Sequence, residues 1–261
     1  MRLITIPMSH YCEKARWGLV HAGVDYVEEA HLQVLHYPAV RAHHSGGKVP
    51  VLLTGSEAIP DSTAILQFLD RGLPDACKLY PEDRRGEIEA LEERFDETLG
   101  VETRRWVYFH WMTLPVREVL KTAAQGTPRW QGIAAPMLFP LLRLYLGRRL
   151  AISPDNVEQG LHIIAASFDE VAARIGDGRP FLCGNRFTAA DLSFACMAAP
   201  VLLPPEYGIQ LPILEDAPAL ARTDVQRFRA HPAGQFALRL FRENRRNAAA
   251  QAGVPPGGAG K

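Results

Sequence analysis

The chain changes rhythm once, near residue 80, and that change limits its possible folds more than any bulk property. Over residues 1–74, short apolar runs alternate with short amphipathic segments; from Pro81 onward the apolar residues recur at helical spacing throughout. Leu3–Ile6 is brief and rich in β-branched residues, which reads as a strand. Cys12, Ala15, Leu19 and Ala22 then step at helical intervals, and Gly23 is placed to end that helix. Tyr26-Val27 and Leu32–Leu35 both offer material for a second strand, and Val49–Leu53 is a third apolar run closed by Thr54-Gly55-Ser56. Glu57–Ile59 can pair back on it as a hairpin. Asp61-Ser62 then caps a helix through Ile65, Leu66, Phe68 and Leu69 that Gly72 stops. The order β-α-β-loop-β-β-α describes a small α/β unit whose helices must cover its sheet.

The second half predicts helices only. Ile88, Leu91, Phe95 and Leu99 share a face, and Val157, Leu161, Ile164, Phe168, Val171 and Ile175 step 4-3-4-3-4. Ser153-Pro154 supplies an N-cap and a first-turn proline for that longer helix, and Gly176-Asp177-Gly178 ends it. Thr188-Ala189-Ala190-Asp191 is a capping-box pattern with Asp in place of Glu. Asp224–Arg242 reads as one last helix, and the Pro-containing stretch Ala134–Leu144 as a helical hairpin buried in the bundle in preference to an insertion that caps a site or lies on a membrane surface. The expected division is therefore an α/β domain over 1–74, a linker over 75–82, an all-helical domain over 83–246 and a disordered tail over 247–261.

Composition narrows the function classes. There are 29 Lys+Arg against 29 Asp+Glu, without the basic surplus of a nucleic-acid binder. The longest apolar run, Gly132–Leu142, carries two prolines and falls short of the ~20 residues of a spanning helix. The first residues are too short an apolar stretch for a secretory signal, so a cytoplasmic protein without membrane association is expected. The four cysteines, Cys12, Cys77, Cys183 and Cys196, lie far apart in no metal-ligand spacing, and no metal is expected.

Three segments can carry chemistry. Ser9-His10-Tyr11-Cys12 joins the first strand to the first helix, where free N–H groups and the helix dipole favour an anion; Ser9 can equally be a plain N-cap. Gly46-Gly47-Lys48-Val49-Pro50 enters the third strand through a turn. A cis Val49–Pro50 bond would turn the Val49 N–H and C=O outward to receive another backbone, whereas a trans bond would make this an ordinary loop. Asp61-Ser62 puts a carboxylate and a hydroxyl at a helix start, suited to the ammonium and carboxylate of an amino-acid headgroup, or again simply to capping.

Taken in this order, the Ser9-x-x-Cys12 segment with Lys14 and Arg16, Lys48-Val49-Pro50-Val51-Leu52, Asp61-Ser62-Thr63-Ala64-Ile65 and Phe187-Thr188-Ala189-Ala190-Asp191 resemble the cytosolic glutathione S-transferase family over roughly residues 1–245. The resemblance implies a thioredoxin-like N-terminal domain, an all-helical C-terminal domain and a homodimer. It also implies a glutathione transferase that activates the glutathione thiolate for attack on a hydrophobic electrophile, in detoxification. By position, Ser9 would be the catalytic hydroxyl, with Tyr11 and Cys12 as alternatives. Val49 and Pro50 would hold the cysteinyl part of glutathione, Asp61 and Ser62 the γ-glutamyl end, and Lys48 and His36 the glycyl carboxylate, with His43 and His44 as alternatives to His36. The second substrate would lie against the aromatic run around Trp106, Phe109 and His110. His10 stands where the family usually has proline, and could give Ser9 a titratable neighbour. Glutathione-dependent thiol reductase or isomerase activity, and a non-catalytic interaction role, are the competing readings.

Overall fold

The structure, a computed structural model, describes residues 1–43 and 46–245. Four strands form one mixed sheet in the order β2-β1-β3-β4, with β1 at Arg2–Thr5, β2 at Val27–Ala30, β3 at Val51–Leu53 and β4 at Ala58–Pro60. Strand β1 runs parallel to β2 and antiparallel to β3, and β3 is antiparallel to β4. Helix α1 (His10–His21) makes the crossover, and α3 (Ser62–Asp70) follows β4. The two helices pack so closely that a Cβ at Gly18 would fall 2.1 Å from Leu66. Gly23 leaves α1 at φ 64°, as its place after the last apolar residue predicts.

The second strand is Val27–Ala30 and not Leu32–Leu35. Leu32–Leu35 instead turns away from the sheet, with Val34 at φ 74°, and leads into α2 (Tyr37–Arg41), one turn with a proline at its start. Helix α2 is too short to show a period, which is why that segment reads only as a loop in the sequence.

The remaining helices are α4 (Arg85–Arg94), α5 (Gly100–Trp111), α6 (Val116–Ala123), α7 (Arg129–Arg149), α8 (Pro154–Ile175), α9 (Ala189–Leu202), α10 (Ala219–Ala230) and α11 (Pro232–Leu240). A π-turn over Phe95–Leu99 joins α4 to α5. Helix α9 is the centre of this part: every residue but Pro200 is buried, so it needs no polar face. Its first turn is closed by Asp191, which accepts from the N–H and hydroxyl of Thr188 (2.9 and 2.8 Å) and from the Leu182 N–H at 2.7 Å. Ser153 caps α8 through the Asn156 N–H.

Two expectations fail here. Asp224–Arg242 is not one helix: Pro232 has no N–H to continue the ladder, so α10 ends at Ala230 and α11 starts again, capped by the His231 side chain. Nor is Ala134–Leu144 a buried hairpin. It is the middle of α7, a single helix of 21 residues with Pro136 and Pro140 inside it and much of its apolar surface exposed. The expected tail over 247–261 lies outside the described residues.

One core crosses the junction between the two parts: Trp17 and Leu66 pack in the same cluster as Phe95, Phe168, Phe194 and Phe241. Buried ions reinforce it. Lys14 Nζ lies 2.8 Å from Glu92, 2.5 Å from Asp96 and 2.9 Å from the Thr63 hydroxyl, joining α1, α3 and the α4–α5 junction. Arg16 bonds Glu13 and Glu28, and Glu13 in turn holds Arg245 and the Gly208 N–H. The charged residues of the Cys12–Arg16 segment thus hold the two halves together.

Candidate functional site

Topology alone gathers the three candidate segments. Because β1 and β4 run the same way, the helices that follow them begin at the same end of the sheet, and antiparallel β3 starts there too. Ser9, Val49-Pro50 and Asp61-Ser62 therefore share one rim. Local bonds fix it: the Ser9 N–H donates to Ile6 O at 3.0 Å, and the Asp61 N–H to Pro50 O at 3.1 Å.

At the α1 end, the candidates separate by their surroundings. Ser9 is half-buried and caps the helix, its Oγ accepting the Cys12 N–H at 3.3 Å. Capping uses only a lone pair of Oγ; the hydroxyl proton, which also faces the Cys12 thiol, can turn to a bound sulfur instead, so capping and thiol activation are compatible. Tyr11 donates its hydroxyl to Asp96 O at 2.6 Å, and burial pushes its pKa up to about 12. Cys12 is fully buried, its Sγ facing the Ile6 N–H, and burial pushes the thiol up to about 11. Tyr11 and Cys12 are thus occupied in the packing of α1.

His10 corrects an expectation. Its ring is buried with Nε2 3.0 Å from Gly100 O, and burial, helped by the Arg104 charge, lowers its pKa to about 3. It is neutral at physiological pH and bonded to α5, so it gives Ser9 no titrating neighbour. Gly100 is required for this approach: a Cβ there would stand 2.7 Å from the Tyr11 hydroxyl and 2.5 Å from the Met197 sulfur.

On the facing side the Val49–Pro50 bond is cis, Val49 is half-buried and Lys48 is exposed. Asp61 adopts φ 76°, and its Oδ1 accepts the Thr63 and Ala64 N–H groups at 2.8 and 3.4 Å, while Ser62 is buried beneath it. His36 does not suit a carboxylate. Its Nε2 lies 3.2 Å from Gly47 O, and burial lowers its pKa. A neutral ring donating to that carbonyl leaves a bare acceptor at Nδ1, which is buried with no partner. His36 braces the turn around Gly47. His43 meets Arg2 at 3.5 Å, and His44 lies outside the described residues.

A cavity of about 640 Å³ begins at Ile6 and Met8, next to Ser9. The Leu32–Leu35 turn, the end of α5, helix α6 and one face of α7 enclose it, and its lining is mostly apolar. Hydrogen bonds hold this wall to the N-terminal part: Leu32 N–H to Gln131 Oε1 at 2.8 Å, and the Tyr37 and Tyr145 hydroxyls 3.2 Å apart. The expected aromatic run divides across it. Tyr108, Trp111 and Met112 face the cavity. Trp106 is buried in the core and donates Nε1–H to Asp224 at 2.8 Å, His110 packs on Trp106, and Phe109 packs against the core. The reason is helical: residues three and four apart share a face, so 108, 111 and 112 look one way and 106 and 110 the other. The same spacing marks the α7 lining that sequence reasoning missed: Ala135, Leu138, Phe139, Leu142 and Leu146.

Family comparison fits this geometry. The family model for the glutathione S-transferase N-terminal domain matches residues 3–75, and that for the glutathione S-transferase C-terminal domain matches residues 154–222. The chain belongs to the glutathione S-transferase family. Among solved structures, a glutathione S-transferase from Rhodospirillum rubrum F11 is 20% identical with a TM-score of 0.56, over 93% of this chain and 98% of that one. Glutathione transferase F2 from Populus trichocarpa is 16% identical with a TM-score of 0.62, over 97% and 98%. A glutathione S-transferase from Methylobacillus flagellatus KT with glutathione bound is 21% identical with a TM-score of 0.52, over 90% and 98%. At such identities the likeness is one of fold. No curated protein sequence matches the chain. Among the described residues, no group of three or more His, Cys, Asp and Glu is placed to hold a metal ion, and no helix is long and apolar enough to cross a membrane.

Proposed function

We propose that the protein is a glutathione transferase in which Ser9 activates the thiol of bound glutathione for attack on an apolar electrophile. In this reading residues 1–74 bind glutathione, 75–82 link, and 83–246 supply the helical wall of the second-substrate site. One observation supports it: of the hydroxyl and thiol groups at the start of α1, Ser9 is half-exposed beside the apolar cavity, while Tyr11 spends its proton on Asp96 O and Cys12 is fully buried.

A free thiol titrates near about 8.5, so only a few per cent is thiolate at neutral pH. A hydrogen bond from Ser9 to sulfur and the dipole of α1 each contribute on the order of 1 kcal/mol. At about 1.4 kcal/mol per pKa unit, together they lower the thiol by roughly one to two units. The thiolate then forms the S–C bond, and the displaced group leaves with its electron pair. His10, neutral and bonded to α5, takes no proton, so the thiol proton departs to water. Val49 and Pro50 meet the cysteinyl backbone, Asp61 the γ-glutamyl ammonium and Ser62 its carboxylate. Lys48 is the cation available for the glycyl carboxylate. Tyr108 and Trp111, not Trp106 or His110, face the electrophile.

A thiol reductase would need Cys12, whose thiol burial disfavours. The test is conjugation of an aryl halide. Ser9→Ala lowers kcat/KM about 5- to 10-fold, the loss of one hydrogen bond of that strength to sulfur, with little change in the KM for glutathione. Cys12→Ala retains activity. Disulfide turnover that survives Ser9→Ala and vanishes in Cys12→Ser reverses the assignment, and failure to bind glutathione by calorimetry leaves the interaction role.

A further inference from the structure

Helix α7 has two apolar faces, and only one is used. Away from the cavity wall run Trp130, Ile133, Met137 and Leu144, exposed by 58%, 78%, 84% and 53%, with Leu141, 68% exposed, between the last two at the cavity's rim; together they are spaced 3-4-4-3. From residue 130 to residue 144 the helix carries this stripe over roughly 20 Å. Single exposed apolar residues are ordinary on a protein surface, but a continuous stripe of this size calls for something to cover it.

Charge identifies the cover. From Arg129 to Arg149 the helix carries four arginines, Arg129, Arg143, Arg148 and Arg149, and no acidic residue, although the chain as a whole is balanced at 29 against 29. Arg148 continues the stripe's spacing. A second copy is a poor fit: an antiparallel pair through this face would set Arg129 of each helix toward the Arg148-Arg149 end of the other, with no carboxylate on either helix to answer it. An apolar stripe with an aromatic ring at its start, basic ends and no acid is the composition of a helix that lies in the plane of an anionic bilayer surface.

We propose that α7 docks the protein on an anionic lipid surface, with Ile133, Met137 and Leu144 toward the acyl chains and Arg148 and Arg149 among the headgroups. The proposal is independent of the catalytic reading. The segment lies between the two family-matched stretches, 3–75 and 154–222.

The test is flotation of the full chain with phosphatidylcholine vesicles, with and without phosphatidylglycerol. Binding about tenfold stronger to the phosphatidylglycerol vesicles, weakening as salt rises, is expected. The double variant Ile133→Asp/Met137→Asp, which touches neither core nor cavity, abolishes flotation with an unchanged thermal midpoint, and Arg148→Glu/Arg149→Glu removes the preference for anionic lipid. Lipids brominated in the acyl chain quench tryptophan fluorescence less in Trp130→Phe than in wild type. Equal binding to both vesicle types, or flotation retained by the Asp variant, overturns the proposal. So does a dimer that the Asp variant dissolves in a protein that binds no vesicles.

Discussion

His10 sits beside the proposed nucleophile activator yet works for the fold. Its pKa of about 3 in the folded chain compares with about 6.5 when unfolded, so between those values the unfolded state binds a proton that the folded state refuses. Stability therefore falls as pH drops below about 6.5, and at pH 5 this residue accounts for about 2 kcal/mol of loss. Denaturant unfolding at pH 7 and pH 5 measures it; in His10→Asn the difference between the two shrinks by about that amount, and an unchanged difference rejects the buried, neutral ring. The position also shows how far one residue can be read from sequence. That Ser9 caps α1 follows from its type and place. That His10 turns into α5, or that His36 spends its donor on Gly47, depends on partners distant in the chain.

Among the elements, those with local end signals follow the sequence closely. Ser153-Pro154 starts α8, Gly23 ends α1, and Thr188 with Asp191 opens α9. Replacing Asp191 with Ala leaves the buried Leu182 and Thr188 N–H groups unpaired, so a loss of about 2–4 kcal/mol is expected by thermal or denaturant unfolding. A change below about 0.5 kcal/mol means the cap is not needed. Where the sequence misleads, an element's surroundings decide. Apolar spacing joined α10 and α11, but Pro232 breaks them; α7 reads as core from its composition, but only its cavity-side face finds protein to cover it. The α5 aromatics carry the right chemistry, and helical spacing sorts the cavity-facing Tyr108 and Trp111 from the core-facing Trp106 and His110.

Across the whole molecule, the junction of sheet and helices rests on Lys14. One ammonium faces two buried carboxylates: their charges hold Lys14 above its ordinary pKa, and burial with Glu92 nearby holds Asp96 above its own. Lys14→Met leaves both carboxylates without a cation and costs about 3–5 kcal/mol in unfolding free energy. Adding Glu92→Gln and Asp96→Asn restores most of that loss, whereas purely additive losses mean the three do not act together. These contacts join residues some eighty positions apart, which is why no local pattern announces them, although Lys14 and Arg16 belong to the segment that carries the family resemblance. The same junction sets the α1 terminus against the cavity, and so underlies the chemistry proposed for it. The most direct measurement of that chemistry is the ultraviolet thiolate absorbance of bound glutathione against pH. A midpoint about one to two units below that of free glutathione, moving back toward it in Ser9→Ala, is the expected result; a bound thiol that titrates like the free one contradicts it.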